Sequence, residues 1–260
     1  VNTRSQASYN RFCKYLERKH LELSELSMEA DIIFITTLDG AIEKTAELLA
    51  ELKKRKTGQT WVHCSGSVSS AAMCKDPLLE VNYLSLHPLQ AFADVDSALT
   101  IMKGAHFGIE GSKQEGEELG IEIVRILGGI PHKIDPSKKT LYHAGAVVAS
   151  NYLVALASLS VKLFGQVGIN KDDALESLLP LMEGSYKNIT EVGLPCALTG
   201  PIARGDVEVV AKHLQEMPTE LRGIYQALGR LTLELGKERK LLNGTSYSSK
   251  VLEALEHLLE

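Results

Sequence analysis

A parallel α/β sheet followed by an all-helical bundle is the fold class that this 260-residue sequence predicts, and three observations carry it. The segments DIIFITTLD (Asp31 to Asp39) and QTWVHCSGS (Gln59 to Ser67) are runs of β-branched and aromatic residues that break into small polar residues at their carboxyl ends. Such runs, lying between helical patterns, are what strands covered on both faces look like. Strand and helix patterns then alternate up to about Asp135, an order that implies a parallel sheet, and no strand pattern follows. The expected division is an α/β domain over residues 1–135 and a helical domain over residues 136–260.

The first half reads in order. Ser5 can cap a helix whose Tyr9, Phe12 and Leu16 recur at helical spacing. After DIIFITTLD, the stretch Gly40 to Lys56 repeats that spacing through Ile42, Leu48, Leu49 and Leu52, as a crossover helix should. Further strands are expected at VNYLSLHP (Val81 to Pro88), AHFGIE (Ala105 to Glu110) and GIPHKID (Gly129 to Asp135), with a helix from Lys113 to Leu127 between the last two. In the second half, Asp135-Pro136 is an N-cap with proline at the first helical position, opening a long helix to about Phe164. Asn170 caps the next helix, which should kink at Pro180. Asp206 is expected to cap Val207 to Glu216, and Pro218 to start another helix. Ala144 to Val161 is uncharged and apolar on more than one face. It just reaches membrane-spanning length, but Ser150, Asn151, Ser158 and Ser160 favour a buried core helix. A second subunit would cover such faces, so a homodimer through the helical half is expected.

An apolar content of 44% is ample for a core. A net charge of −5, with no dense Lys or Arg block, argues against a nucleic-acid surface and for a small-molecule partner. Cys13, Cys64, Cys74 and Cys196 lack metal-site or disulfide-framework spacing, so no metal and a reduced, cytoplasmic setting are expected. Cys64 reads as a small core hydrophobe, with no activating neighbour in sequence.

Ligands of open α/β sheets bind outside the carboxyl ends of the strands, which makes Thr36, Thr37, Leu38, Asp39, Ser65, Gly66 and Ser67 candidates for one site. The bland alternative is that they are strand-to-helix turns needing glycine and hydroxyl caps. A doubly wound dinucleotide-binding sheet normally opens with a strand and G-x-G-x-x-G, and the sequence holds no such motif. VNTRS, at the start, reads as the end of the second strand of such a unit, so a preceding β–α unit of roughly 25 to 30 residues is expected upstream. Asn2, Thr3, Arg4 and Ser5 include no acid, a pattern that suits the 2′-phosphate of NADP; Arg4 as a plain surface charge is the other reading.

Taken together, VNTRS, DIIFITTLD, HCSGS, HPLQAF (His87 to Phe92), YHAGAVVASNYLVAL (Tyr142 to Leu156) and LTGPIARGD (Leu198 to Asp206) resemble a family that joins a Rossmann-like domain to a helical domain of unknown function, number 2520. That family is similar to ketopantoate reductase, pyrroline-5-carboxylate reductase and the 6-phosphogluconate dehydrogenase-like enzymes. The resemblance implies NADP binding and hydride transfer to a small carbonyl or imine at a site between the domains. In those relatives a Lys or Asn pair near the start of the first helix of the second domain handles the emerging anion, and His143 holds the comparable place here. His143 is then the expected proton donor and Asn151 an orienting group, about 12 Å along an unbroken helix and roughly 80° around it, with Ser150 nearer the line of His143. His87, Gln90 and Arg204 are the candidate substrate ligands. The alternatives are that His143 and Asn151 are satisfied structural groups, that His87 marks a turn, and that Asp206 is first a cap. At the level of the whole chain, the alternative is a non-catalytic nucleotide sensor or interaction protein that kept the fold.

Overall fold

The computed structural model describes residues 1–52, 54–76 and 79–260. Its compact units are Val1–Leu153 and Val154–Glu260.

The first unit is built on five strands in the order β1 (Ile32–Ile35), β2 (Thr60–His63), β3 (Asn82–Leu89), β4 (His106–Gly111) and β5 (Ile130–Lys133). β1, β2 and β3 are parallel, with Ile35 beside His63 and His63 beside Ser85. Helix α3 (Asp39–Ala50) follows β1 and buries Ile42, Ala46 and Leu49 against Ile33, Ile35, Trp61 and Tyr83. On the other side, α5 (Gln114–Ile126) buries Val124 with Val62, Leu84, Phe107 and Ile109. All four residues of β2 are buried, which is why its sequence is an apolar run and not an alternation.

One expectation fails here: the sheet is not wholly parallel, because β4 runs antiparallel to β3, with His106 beside Leu89. The connection, residues 90–105, holds the 7-residue helix α4 (Val95–Ile101) and brings the chain back into the sheet at the end where β3 finishes. The 13 residues of α5 make a return of about 20 Å, and β5 is parallel to β4. VNTRS is not a strand either. Ser5 caps α1 (Gln6–Cys13) as expected, but Val1 and Asn2 pair with Lys19 and Leu21, off the sheet. A helix α2 (Leu23–Glu29) leads from there into β1.

Asp135 receives the Ser137 amide at 2.9 Å and opens a 3₁₀ turn (Pro136–Lys138) that runs into α6 (Lys139–Ala149). The chain breaks at Ser150 before α7 (Asn151–Gln166), so the long helix is two. A Ser-Asn pair, whose side chains compete for backbone groups, is a natural place for that break. Pro136 to Gln166 is long and apolar enough to cross a membrane, with mean hydropathy 1.6, yet none of its most apolar window is buried. The core helix expected over Ala144 to Val161 is not buried among the described residues: Val148, Tyr152, Leu153 and Val154 are exposed.

The second unit continues with α8 (Lys171–Val192), capped by Asn170 and containing Pro180. The helices α9 (Pro201–Arg204), α10 (Val207–Glu216), α11 (Thr219–Leu242) and α12 (Ser249–Leu259) follow. Ile202, Val210, Leu233, Leu255 and Leu259 form its core. Asp206 stands at the start of α10 but caps nothing with its side chain, which turns to Arg204 at 2.7 Å.

Candidate functional site

Parallel pairing makes the loops after β1 and β2 leave the sheet side by side. Asp39, the first residue of α3, accepts hydrogen bonds from Ser65 Oγ at 2.7 Å and Ser67 Oγ at 3.1 Å. A carboxylate is favoured at a helix amino end. Ser65 Oγ in turn accepts from the amides of Ser67 and Val68 at 3.2 and 3.1 Å. Asp39, Ser65, Gly66 and Ser67 are therefore brought together as expected, while Thr36 and Thr37 are exposed beside them and Leu38 is 81% exposed.

Gly66 joins this rim to a cluster of rings. A Cβ on it would lie 2.6 Å from His143 Nδ1 and 2.7 Å from His87 Nε2, so only glycine lets both imidazoles close on this loop. The two rings are edge to face with centroids 5.9 Å apart. His87, near the end of β3, meets the Tyr142 hydroxyl at 3.2 Å through Nδ1, and Tyr142 packs on Gly108 of β4, where a Cβ would lie 2.8 Å from its oxygen. Burial, aided by the charges of His143 and Lys139, lowers His87 to about 4, so its ring is neutral at pH 7. Burial raises Tyr142, which keeps its proton. His143 Nδ1 is buried with no hydrogen-bond partner among the described residues.

Beneath the rim lies an ion pair that sequence reasoning missed. Lys139, the first residue of α6, and Glu110, on β4, are 3% and 2% exposed and meet at 3.1 Å. Lys139 also donates to Ser85 Oγ on β3. Glu110 accepts from Ser69 Oγ at 2.9 Å, Ser70 Oγ at 2.7 Å and the Ser70 amide at 3.0 Å, which ties the loop after β2 to β4. Burial pushes the Glu110 carboxyl up, but the hydrogen bonds from Ser70 and the charge of Lys139 outweigh it, and the group stays below its usual range. Burial lowers Lys139, against the pull of Glu110 and Asp39. His63 is fully buried, accepts the Ser65 amide at 3.1 Å, and is lowered to about 4 by burial and by the charge of Lys139. The only sequence signal for these groups was a charge at the edge of an apolar run: Glu110 closing AHFGIE, and Lys139 preceding the apolar helix.

The other candidates are placed elsewhere. Asn2 donates to the Leu21 carbonyl at 2.8 Å, Thr3 Oγ1 to the Ser5 carbonyl, and Ser5 caps α1. Arg4 is exposed, and no hydrogen bond among the described residues ties these four to the rim. Gln90 is exposed and accepts from the Ala91 amide. Ser150 and Asn151 are exposed at the break between α6 and α7, so spacing on an unbroken helix does not relate Asn151 to His143. Arg204 lies in the second unit, paired with Asp206. Among the described residues, no group of three or more His, Cys, Asp or Glu is placed to hold a metal.

Residues 105–232 match the family model of a domain of unknown function, DUF2520. No curated protein matches the chain. Among solved structures, protein TM1727 from Thermotoga maritima is 29% identical, with a TM-score of 0.72 over 90% of each chain. BF3122 from Bacteroides fragilis, assigned as an NADP oxidoreductase, is 20% identical with a TM-score of 0.65, over 92% of this chain and 86% of that one. The 1-pyrroline-5-carboxylate reductase of Streptococcus pyogenes is 15% identical with a TM-score of 0.56, over 99% and 86%. The chain has the Rossmann-like fold of NADP oxidoreductase-like proteins.

Proposed function

We propose that this chain is an NADP-dependent oxidoreductase that passes a hydride between the nicotinamide ring and a small carbonyl or imine compound. One observation carries the reading. Where the parallel strands β1, β2 and β3 end, a glycine loop lies under two imidazoles and a phenol, and one of those imidazoles has a buried nitrogen without a partner among the described residues. Such a rim is where open α/β sheets hold ligands. The Gly66 backbone offers the close approach a flat ring needs, and Asp39 with Ser65 and Ser67 offers acceptors and donors for ribose hydroxyls. No stretch of the chain carries the glycine pattern that cradles a pyrophosphate, so the fit is to the nicotinamide riboside end.

The cofactor supplies the hydride when bound. For the chain's part, His143 would give a proton to the oxygen or nitrogen that gains negative charge, and take it back in the reverse direction. His87, neutral and held by Tyr142, would fix the orientation of the neighbouring His143 ring. No role for Ser150, Asn151 or Gln90 follows from their exposed positions. Preference for the phosphorylated cofactor rests on the sequence alone, where Arg4 stands among Asn2, Thr3 and Ser5 with no acid between them, since VNTRS is not a strand of the sheet. The exposed Val148, Tyr152 and Val154 support a homodimer, which sedimentation at micromolar concentration would register and a monomer would refute. The four free cysteines fit a cytoplasmic protein.

The test is fluorescence titration with NADPH and NADH, followed by turnover on keto acids, aldehydes and cyclic imines. NADPH is expected to bind more tightly, Arg4→Glu to reverse the preference, and His143→Ala to remove turnover while sparing binding. Tight NADPH binding with no oxidation by any compound, unchanged in His143→Ala, would favour a nucleotide sensor instead.

A further inference from the structure

We infer that the second unit holds a binding site for a small dianion of the phosphate-monoester kind, in a cavity of about 360 Å³ lined by Ala203, Arg204, Arg239, Lys240, Asn243 and Thr245. The inference is independent of the dinucleotide reading. Cations from two separate stretches of sequence converge there. Arg204 is delivered by LTGPIARGD, the segment that runs into α10. Gly200 and Gly205, at φ +96° and +87°, bracket its short helix, as only glycine does without strain. The segment is then fastened down: Tyr247 donates to the Ile202 and Ala203 carbonyls at 2.8 and 3.3 Å, and Arg239 donates to the Leu198 carbonyl. Arg239 and Lys240 come from the last turn of α11.

Charge singles out an anion. Asp206 meets Arg204, but neither Arg239 nor Lys240 has a carboxylate partner among the described residues, and Lys240 lies over the Tyr247 ring at 4.6 Å. Placement at a helix carboxyl end suits two cations. It does not explain a third, brought from another element to the same cavity in a chain of net charge −5. Arg239 keeps donors to spare after binding Leu198, and a planar guanidinium matches two oxygens of one phosphate. Asn243 and Thr245 add neutral partners for hydroxyl groups on the rest of such a ligand.

The experiment is calorimetric titration and thermal unfolding of the full chain with inorganic phosphate, against sodium chloride at matched ionic strength. Saturable binding at one site per chain is expected, with an unfolding midpoint raised by phosphate and not by chloride. Arg204→Gln combined with Lys240→Gln should weaken phosphate at least about tenfold. Asn243→Asp, at an exposed position, should abolish it by setting a carboxylate among the cations. Absence of saturable phosphate binding, or binding unchanged in both variants, would overturn the site. Malonate binding more tightly than phosphate would overturn the phosphate assignment.

Discussion

Replacing Lys139 by Met tests how the rim is supported from below. The substitution keeps most of the side-chain volume but leaves the Glu110 carboxylate, 2% exposed, without its cation. Removing one partner of a buried ion pair costs about 3–5 kcal/mol. Glu110 keeps its hydrogen bonds from Ser69 and Ser70, so the expected loss is near the lower end, about 3 kcal/mol. The double variant Lys139→Met with Glu110→Gln should recover at least about half of that, since the glutamine carbonyl can still accept from Ser70 while no net charge is buried. Acid should narrow the gap as well. In the parent chain Glu110 lies below its ordinary range, so its contribution is complete above the unfolded carboxyl value and is lost as pH falls through the folded one. Without Lys139 one of the groups that hold the Glu110 carboxyl down is gone, so acid protonates it more readily in the variant than in the parent and relieves part of the cost. The assay is urea unfolding of the parent, both single variants and the double variant, at pH 7 and at pH 5. A cost under about 1 kcal/mol for Lys139→Met, or a double variant as unstable as the sum of the singles, would refute this reasoning.

Two further outcomes are expected. Gly66→Ala should displace the His143 and His87 rings, from which its Cβ would stand 2.6 and 2.7 Å, and lower turnover at least about tenfold with circular dichroism unchanged; full activity would show that the close approach is dispensable. Acid should destabilise the chain through His63 and His87, both near 4 when folded against about 6.5 in an unfolded chain. The unfolded state takes up protons first, so this stability is full above about pH 6.5 and lost as pH falls through about 4. The fully buried His63 alone accounts for about 3 kcal/mol of that loss. His63→Leu should flatten the fall by one proton's worth, and an unchanged slope would count against a neutral buried His63.

What the sequence revealed depended on how local the signal was. β1, β2 and β3 were legible because each is a largely apolar run, β-branched and aromatic in β1 and β2, between helical patterns, and their carboxyl ends put Asp39, Ser65 and Gly66 on one rim through chain connectivity alone. The direction of β4 was not legible, because the short α4 has no signature in apolar spacing and the order of elements alone does not fix the direction in which a strand pairs. The Lys139–Glu110 pair was hidden by its separation of 29 residues: each half passes for an ordinary charge at the edge of an apolar segment. His143 was visible as a polar residue in an apolar helix, whereas Tyr142 beside it was not, since a tyrosine there reads as core until His87 is found at its hydroxyl. Apolarity around Ala144 to Val161 was legible, but sequence could not say whether the chain itself covers it, and among the described residues the stretch is exposed.

The most direct measurement is diffraction from crystals of the protein grown with NADPH. Density for the nicotinamide riboside against Ser65 and Gly66, with the ring within reach of His143, is the expected result. A rim free of dinucleotide in crystals shown to contain it elsewhere, or one filled by the chain's own side chains, would contradict the proposed activity.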